Sequence, residues 1–191
     1  MVHVSLLNSV QELEKKYRLT ANQRALLISD GSTTTLLEAF TGQTVLVKGR
    51  SQSIVRADAR LASELQVEPK SEVSKRIVHL VSGGSSEILA YAISYTPIER
   101  LSPALLHDVQ RTDIPIGKIL KMHKIESRRE IKEIGFIRDT HFKEIFGSEC
   151  GMYRTYLIIH QNAPLMKIEE YFPLRSDEHY ESSVGHRSRD E

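Results

Sequence analysis

Residues 26–48 read LLISDGSTTTLLEAFTGQTVLVK. The apolar run Leu26–Ile28 stops at the turn pair Asp30-Gly31, and Ser32 then stands where a helix N-cap belongs. Leu36, Leu37 and Phe40 recur on one helical face, and Gly42 is a natural stop. Beyond it Val45 and Val47 alternate with polar residues, which is the period of a strand. A helix N-terminus carries free backbone N–H groups and a partial positive charge. The turn Ser32-Thr33-Thr34 can therefore hold a small anion as well as open a helix. Asp, Gly and Ser are also what any turn into a helix uses. The run Thr33–Thr35 consists of poor helix formers, which hints at a second role for this turn.

Toward the N-terminus, Leu6, Leu7, Val10, Leu13 and Tyr17 keep helical spacing over 5–18. Thr20 with Gln23 makes a capping box for a second short helix through Leu27. Toward the C-terminus, Ile54 and Val55 either extend the strand begun at Val45 or return it as a ragged hairpin. Residues 57–66 are expected to be helical, with a break at Pro69-Lys70-Ser71. The clearest hairpin pairs 73–82 with 86–96 through Gly83-Gly84-Ser85. Helices are expected at 103–111 and 116–123, flanking Pro115, then a strand at 126–137 and a helical turn from His141 to Phe146. Met152–His160 and Leu165–Phe172 complete the strands. Helices and hairpins are segregated rather than alternating, so the pattern predicts an α+β fold: a single antiparallel β-sheet with helices packed on it. Residues 1–174 are expected to form one domain, and the polar tail 175–191, which lacks hydrophobic period, to be disordered.

Composition narrows the function classes. The chain has 191 residues, 40% of them hydrophobic, with 26 Lys+Arg against 25 Asp+Glu. A net charge of +1 leaves no basic footprint for nucleic acid. No apolar run nears the roughly 20 residues of a membrane span, and the N-terminus lacks a signal-peptide pattern. The single cysteine, Cys150, excludes an internal disulfide and suits a reducing compartment, so a cytoplasmic protein is expected. Phosphate-loop, dinucleotide, HExxH and GxSxG motifs are absent. The eight histidines are scattered without metal-ligand spacing, and no metal or organic cofactor is expected. Cys150 reads as an ordinary thiol, since no base is positioned for it.

Three charged positions stand out. Arg76 sits mid-strand, with Val78 and Leu80 as alternation partners on an apolar face. Such an arginine needs an anion, because an unpaired buried charge costs several kcal/mol, on the order of ~3–5. An internal salt bridge and a bidentate clamp for a substrate carboxylate both meet that need. Glu169 and Glu170 are adjacent, so on a strand they face opposite ways. Glu169 shares its side with Leu165 and Tyr171, which makes it the expected inward acid and a candidate proton donor or acceptor; pairing with Arg76 or Arg129 is the alternative. Of Arg128 and Arg129, one is expected to be exposed.

Together these stretches resemble the chorismate pyruvate-lyase family, in its archaeal and mycobacterial-type branch. The resemblance runs over about residues 22–174 and rests on LLISDGSTTTLLEAFTGQTVLV, SKRIVHLV, ILAYAISYTPIERL, PIGKIL, ESRREIKEI and IEEYFP, in that order. It implies an antiparallel sheet with an enclosed ligand pocket closed by helical flaps. It also implies cleavage of chorismate to 4-hydroxybenzoate and pyruvate without metal or organic cofactor. Matched position by position, Arg76 would grip the ring carboxylate, and Thr33 would give it a backbone contact within the turn Ser32-Thr33-Thr34. Glu169, four residues before Pro173, would face the ether oxygen and the product hydroxyl; Arg129 would be a second basic group. The bacterial form ends in Leu-Phe-Leu-Pro where this chain has Glu-Tyr-Phe-Pro, Gly31 is an insertion before the serine, and 97–114 has no clear counterpart. RLASELQVEPKSEVSKRIVHLVSGGSSEILAYAISYTP is also similar to the effector-binding domains of GntR-type regulators, so a module that binds a small aromatic-type carboxylate without turning it over is the rival expectation. Residues 1–25 offer no basic recognition helix for DNA.

Overall fold

The computed structural model describes residues 2–111 and 113–174; the expected tail at 175–191 lies outside them. Helices α1 (Val2–Glu14), α2 (Ala21–Ile28) and α3 (Thr33–Thr41) precede strand β1 (Val45–Arg56). Helix α4 (Ala59–Leu65) connects it to β2 (Glu72–Ser82), which turns into β3 (Ile88–Pro97). A 3₁₀ turn at Ile98–Arg100 leads to α5 (Pro103–Gln110) and α6 (Ile116–Met122). Then come β4 (Arg128–Arg138), α7 (Thr140–Phe146), β5 (Cys150–His160) and β6 (Ala163–Pro173).

The strands form one antiparallel sheet in the order β1-β2-β3-β6-β5-β4. It consists of two three-stranded meanders joined where β3 pairs with β6, Tyr91 opposite Tyr171 and Tyr95 opposite Lys167. The segregated helix and hairpin pattern is thus realised as the expected α+β sheet. Between the two possibilities for 45–56, the chain forms one strand with a shift in register between Gly49 and Ser51.

Local chemistry explains the ends that matter for the site. Thr20 and Gln23 form both bonds of the capping box on α2, at 3.2 and 2.8 Å. Ser32 caps α3, its Oγ accepting from the Thr35 N–H at 3.4 Å. Gly42 ends α3 at φ 65°, a left-handed conformation that a side chain would strain.

Helices α1–α3, α5 and α6 cover one face of the sheet. Its apolar residues form two clusters. One joins Leu27 and Leu37 to Leu80, Met152 and Phe172; the other joins Val109 and Ile119 to Ile131, Tyr156 and Ile168. Each fully buried leucine or isoleucine contributes about 1.5–3 kcal/mol. Glu170 lies on β6 between Ile168 of one cluster and Phe172 of the other, and Arg154 lies on β5 between Tyr156 and Met152. Polar residues therefore occupy the seam between two apolar cores. On the other face, α4 packs Ala62 and Leu65 against Val73 and Tyr95, and α7 packs Phe142 against Tyr91 and Tyr171. No helix among the described residues is long and apolar enough to cross a membrane.

Candidate active site

Paired residues of an antiparallel sheet share a face, so register decides which side chains can meet. Arg76 pairs with Ser94, Ser94 with Ile168, and Ile168 with Tyr156. One row along, Val78 pairs with Ala92, Ala92 with Glu170, and Glu170 with Arg154. Rows two residues apart are about 7 Å from each other. Both rows point toward α3 and the α5–α6 connection, and all of their residues except Arg154 line a cavity of about 50 Å³ with Thr33, Thr34, Pro115 and Ile116.

Arg76 is 3% exposed. Its Nε donates to the Arg111 carbonyl at 3.0 Å and its Nη2 to the Ile114 carbonyl at 2.6 Å, both in the segment joining α5 to α6. Among the described residues no carboxylate forms an ion pair with it. Burial pulls its pKa down to about 10, against a weaker opposing pull from Asp113. Of the two sequence readings of this residue, the internal salt bridge is not formed. Arg76 is a buried cation served by neutral acceptors, the environment in which an incoming anion is bound most strongly.

Glu170 is the acid on this face. Thr33 Oγ1 lies 2.7 and 2.8 Å from its two oxygens, Arg154 Nε donates to Oε2 at 2.8 Å, and the Tyr156 hydroxyl donates to Oε1 at 3.0 Å. Arg154 is fully buried and is satisfied in three directions. Besides Glu170 it donates from Nη2 to Thr33 Oγ1 at 2.8 Å and from Nη1 to the Ser29 carbonyl at 2.7 Å. Burial, the largest single influence, would lower the Arg154 pKa; the charge and hydrogen bond of Glu170 together with Tyr156 outweigh it and hold the guanidinium above its ordinary value. Burial and then the Glu170 charge push the Tyr156 pKa up, against Arg154 and Arg129.

Arg129 approaches from β4. Its Nη1 donates to the Asp30 carbonyl at 3.1 Å, its guanidinium lies 5.9 Å from the centre of the Tyr156 ring, and its Nε is buried without a partner. A Cβ at Gly117, in the first turn of α6, would lie 3.8 Å from both Arg129 Nη2 and Ser32 Oγ, so these two groups share one corner. Arg128 is the exposed member of the pair and meets Glu130 at 2.8 Å.

The structure brings Ser32, Thr33, Thr34, Arg76 and Arg129 to one face, but it does not bring Glu169 there. Glu169 pairs with Ile93 and Thr155 and points to the other side of the sheet. There it lies 2.9 Å from Lys167 Nζ, which also meets Glu64 at 2.5 Å. It borders a groove of about 640 Å³ lined also by Lys75, Tyr95, Tyr153 and Tyr171. The expectation that Glu169 is the inward acid near Arg76 is corrected to Glu170. Strand β6 lies between β3 and β5 and both its faces are covered, so apolar neighbours occur on both sides. Tyr171, whose company pointed to Glu169, packs against Phe142 of α7, the ring centres 5.1 Å apart. In the larger groove Lys167 pairs with Glu64 and Glu169, Glu133 accepts from Tyr153 at 2.6 Å, and Lys75 lies 5.7 Å from the centre of the Tyr95 ring. The buried cation without an anion is on the Arg76 side.

Four residues of this site escaped the sequence reading: Glu170, Arg154, Tyr156 and Ser94. Arg154 carried the same signal as Arg76, an arginine inside the apolar strand GMYRTYLIIH. Ser94 carried none, since a serine in a strand is unremarkable until its hydroxyl is found buried.

Comparison with known proteins gives the family and the fold. The family model described as chorismate pyruvate-lyase Rv2949c-like matches residues 27–180. Protein MJ0807 of Methanocaldococcus jannaschii, provisionally named a lyase, is 31% identical over 92% of this chain and 90% of its own length. A chorismate pyruvate-lyase of Mycobacterium tuberculosis is 25% identical over 88% of this chain and 85% of its own. Among solved structures, the effector domain of PhnF from Mycobacterium smegmatis has the same fold, with a TM-score of 0.66 at 17% identity, covering 79% of this chain and 92% of that domain. From the match over residues 27–180 and its relatives, this chain belongs to the Rv2949c-like chorismate pyruvate-lyase family.

Proposed function

We propose that the chain eliminates pyruvate from chorismate to give 4-hydroxybenzoate. The observation that carries this reading is Arg76, a buried guanidinium with carbonyl partners alone, beside Glu170 and the N-terminus of α3. Chorismate is a dianion. Arg76, with the N–H groups of Thr33 and Thr34 opened by Ser32, takes the ring carboxylate. Arg129, whose Nε lacks a partner, takes the carboxylate of the enolpyruvyl side chain. The ether C–O bond then breaks, and the neighbouring ring carbon gives up its hydrogen as a proton. The electron pair left behind completes the aromatic ring, and the departing enolpyruvate accepts a proton to become pyruvate. Aromatisation supplies driving force, so the site must chiefly orient the substrate and manage one proton. Glu170 is the acid on the Arg76 side and takes the proton role that the sequence assigned to Glu169. A cavity of about 50 Å³ is smaller than a ring diacid, so the α5–α6 connection yields on binding, and the substrate carboxylate replaces the Arg111 and Ile114 carbonyls on Arg76.

The test is chorismate turnover followed by 4-hydroxybenzoate absorbance. Glu170→Gln is expected to lower kcat by about 10²–10⁴-fold, and Arg76→Ala to raise KM mainly, while Glu169→Gln leaves both near wild type. A folded wild-type chain that forms no product sinks the lyase reading. The shared fold with the PhnF effector domain favours one rival, a binding module. It is identified by a melting temperature that rises with chorismate or 4-hydroxybenzoate in the absence of turnover.

A further inference from the structure

Elimination needs two proton events at two different substrate atoms: one hydrogen leaves a ring carbon, and one arrives at the methylene carbon of the side chain. Glu170 is held from both sides. Arg154 and Thr33 occupy its oxygens at 2.7–2.8 Å, and Arg154 is itself tied to Ser29 and Thr33. A carboxylate fixed in this way can serve one substrate atom but cannot swing to a second. Thr33 is no carrier, because its oxygen is tied by Arg154 Nη2 and an aliphatic hydroxyl is a far weaker acid than a phenol. Tyr156 differs. It is 4% exposed, lines the cavity in the same row as Arg76 and Ser94, and donates to Glu170 Oε1 at 3.0 Å. Its ring is flanked by Arg154 at 5.1 Å and Arg129 at 5.9 Å, two cations that stabilise a transient phenolate.

We propose that Tyr156 is a catalytic residue that carries the proton between Glu170 and the departing enolpyruvyl group; this rests on the lyase reading above. Glu170 takes the ring proton as the C–O bond breaks, and the C–H electron pair enters the ring. Tyr156 gives its hydroxyl proton to the methylene carbon of the pyruvate enolate, forming the methyl group. The proton on Glu170 then crosses the 3.0 Å hydrogen bond to the tyrosine oxygen, which restores both groups with no outside acid or base. The resting phenol keeps its proton, since burial and the Glu170 charge raise its pKa.

The relay passes through exchangeable O–H groups, which gives it a signature that packing alone lacks. Chorismate is converted by the intact chain in D₂O, pyruvate is trapped at once by reduction to lactate, and the methyl group is analysed by mass spectrometry, with authentic pyruvate carried through the same workup as background. With enzyme equilibrated in D₂O and in excess over chorismate, so that each site turns over once from a deuterated tyrosine hydroxyl, one solvent deuterium per methyl is expected from the wild type. Tyr156→Phe is expected to lower kcat about a hundredfold or more with KM within about threefold and an unchanged melting temperature. Unlabelled pyruvate from the wild type overturns the relay, because the ring hydrogen would then pass directly to the side chain. A folded Tyr156→Phe variant with wild-type kcat overturns it as well. The labelling result stands on the wild type alone, so the relay remains refutable even where the variant folds poorly. Absence of any pyruvate from the wild type refutes the lyase reading instead, which keeps the two failures distinct.

Discussion

Ser94 is 5% exposed, stands between Arg76 and Ile168 in the register, and has a hydroxyl without a hydrogen-bond partner among the described residues. An unsatisfied buried hydroxyl costs about 1–3 kcal/mol, which a ligand oxygen in the adjacent cavity would offset. Ser94→Ala is therefore expected to leave the urea midpoint unchanged or raised while KM for chorismate increases about tenfold, the equivalent of one lost hydrogen bond. A fall in stability with unchanged KM would show that the hydroxyl serves the fold. Glu169 and Glu170 carry the residue-scale lesson. Their chemistry is identical, and one step along a strand separates an acid paired with Lys167 from one in a cavity beside a cation without an ion pair.

Helix α3 is the element on which the site turns. Its cap and its stop were legible in Ser32 and Gly42; the run of threonines pointed to anion binding, and the role the structure gives it is different. That role is divided among them. The Thr35 N–H satisfies the cap, Thr34 faces the cavity, and the Thr33 side chain ties the helix to Glu170 and Arg154. Thr33→Val keeps the shape and removes the hydroxyl, leaving Arg154 Nη2 and one Glu170 contact unmet inside the protein. A loss of about 1–3 kcal/mol in urea unfolding is expected, with a rise in KM as α3 loses its attachment. Thr33→Ser, which restores the hydroxyl, should recover most of both; failure to do so would mean that the methyl group, not the hydrogen bonds, holds the helix. The connection between α5 and α6 was harder to read in function, because what it offers Arg76 is backbone carbonyl, to which sequence is silent.

Across the whole molecule, Arg154 joins three segments distant in sequence: β5, β6 through Glu170, and the α2–α3 turn through Ser29 and Thr33. Removing one partner of such a pair leaves an uncompensated buried charge, so Arg154→Met is expected to cost about 3–5 kcal/mol. The double variant Arg154→Met, Glu170→Met replaces the pair by apolar groups and is expected to regain much of that loss in urea unfolding while remaining inactive on chorismate. A double variant as unstable as the sum of its singles would show that the pair is worth its burial to the fold. Stability recovered without activity would separate what these residues do for the protein from what they do for the reaction.

Local patterns in the chain were enough for the α+β class, most of the helices and strands, the caps of α2 and α3, and the prominence of Arg76. Those features rest on local period, on the special conformations of Gly and Pro, and on the cost of burying a charge, all of which act within a few residues. That Glu170 rather than Glu169 shares the face of Arg76, and that Arg154, Tyr156 and Ser94 join them, followed from long-range packing. On a central strand covered on both faces, hydrophobic alternation no longer separates inside from outside. The choice passes to the pairing of β3 with β6 and to where the helices settle, which are long-range facts that no local pattern encodes.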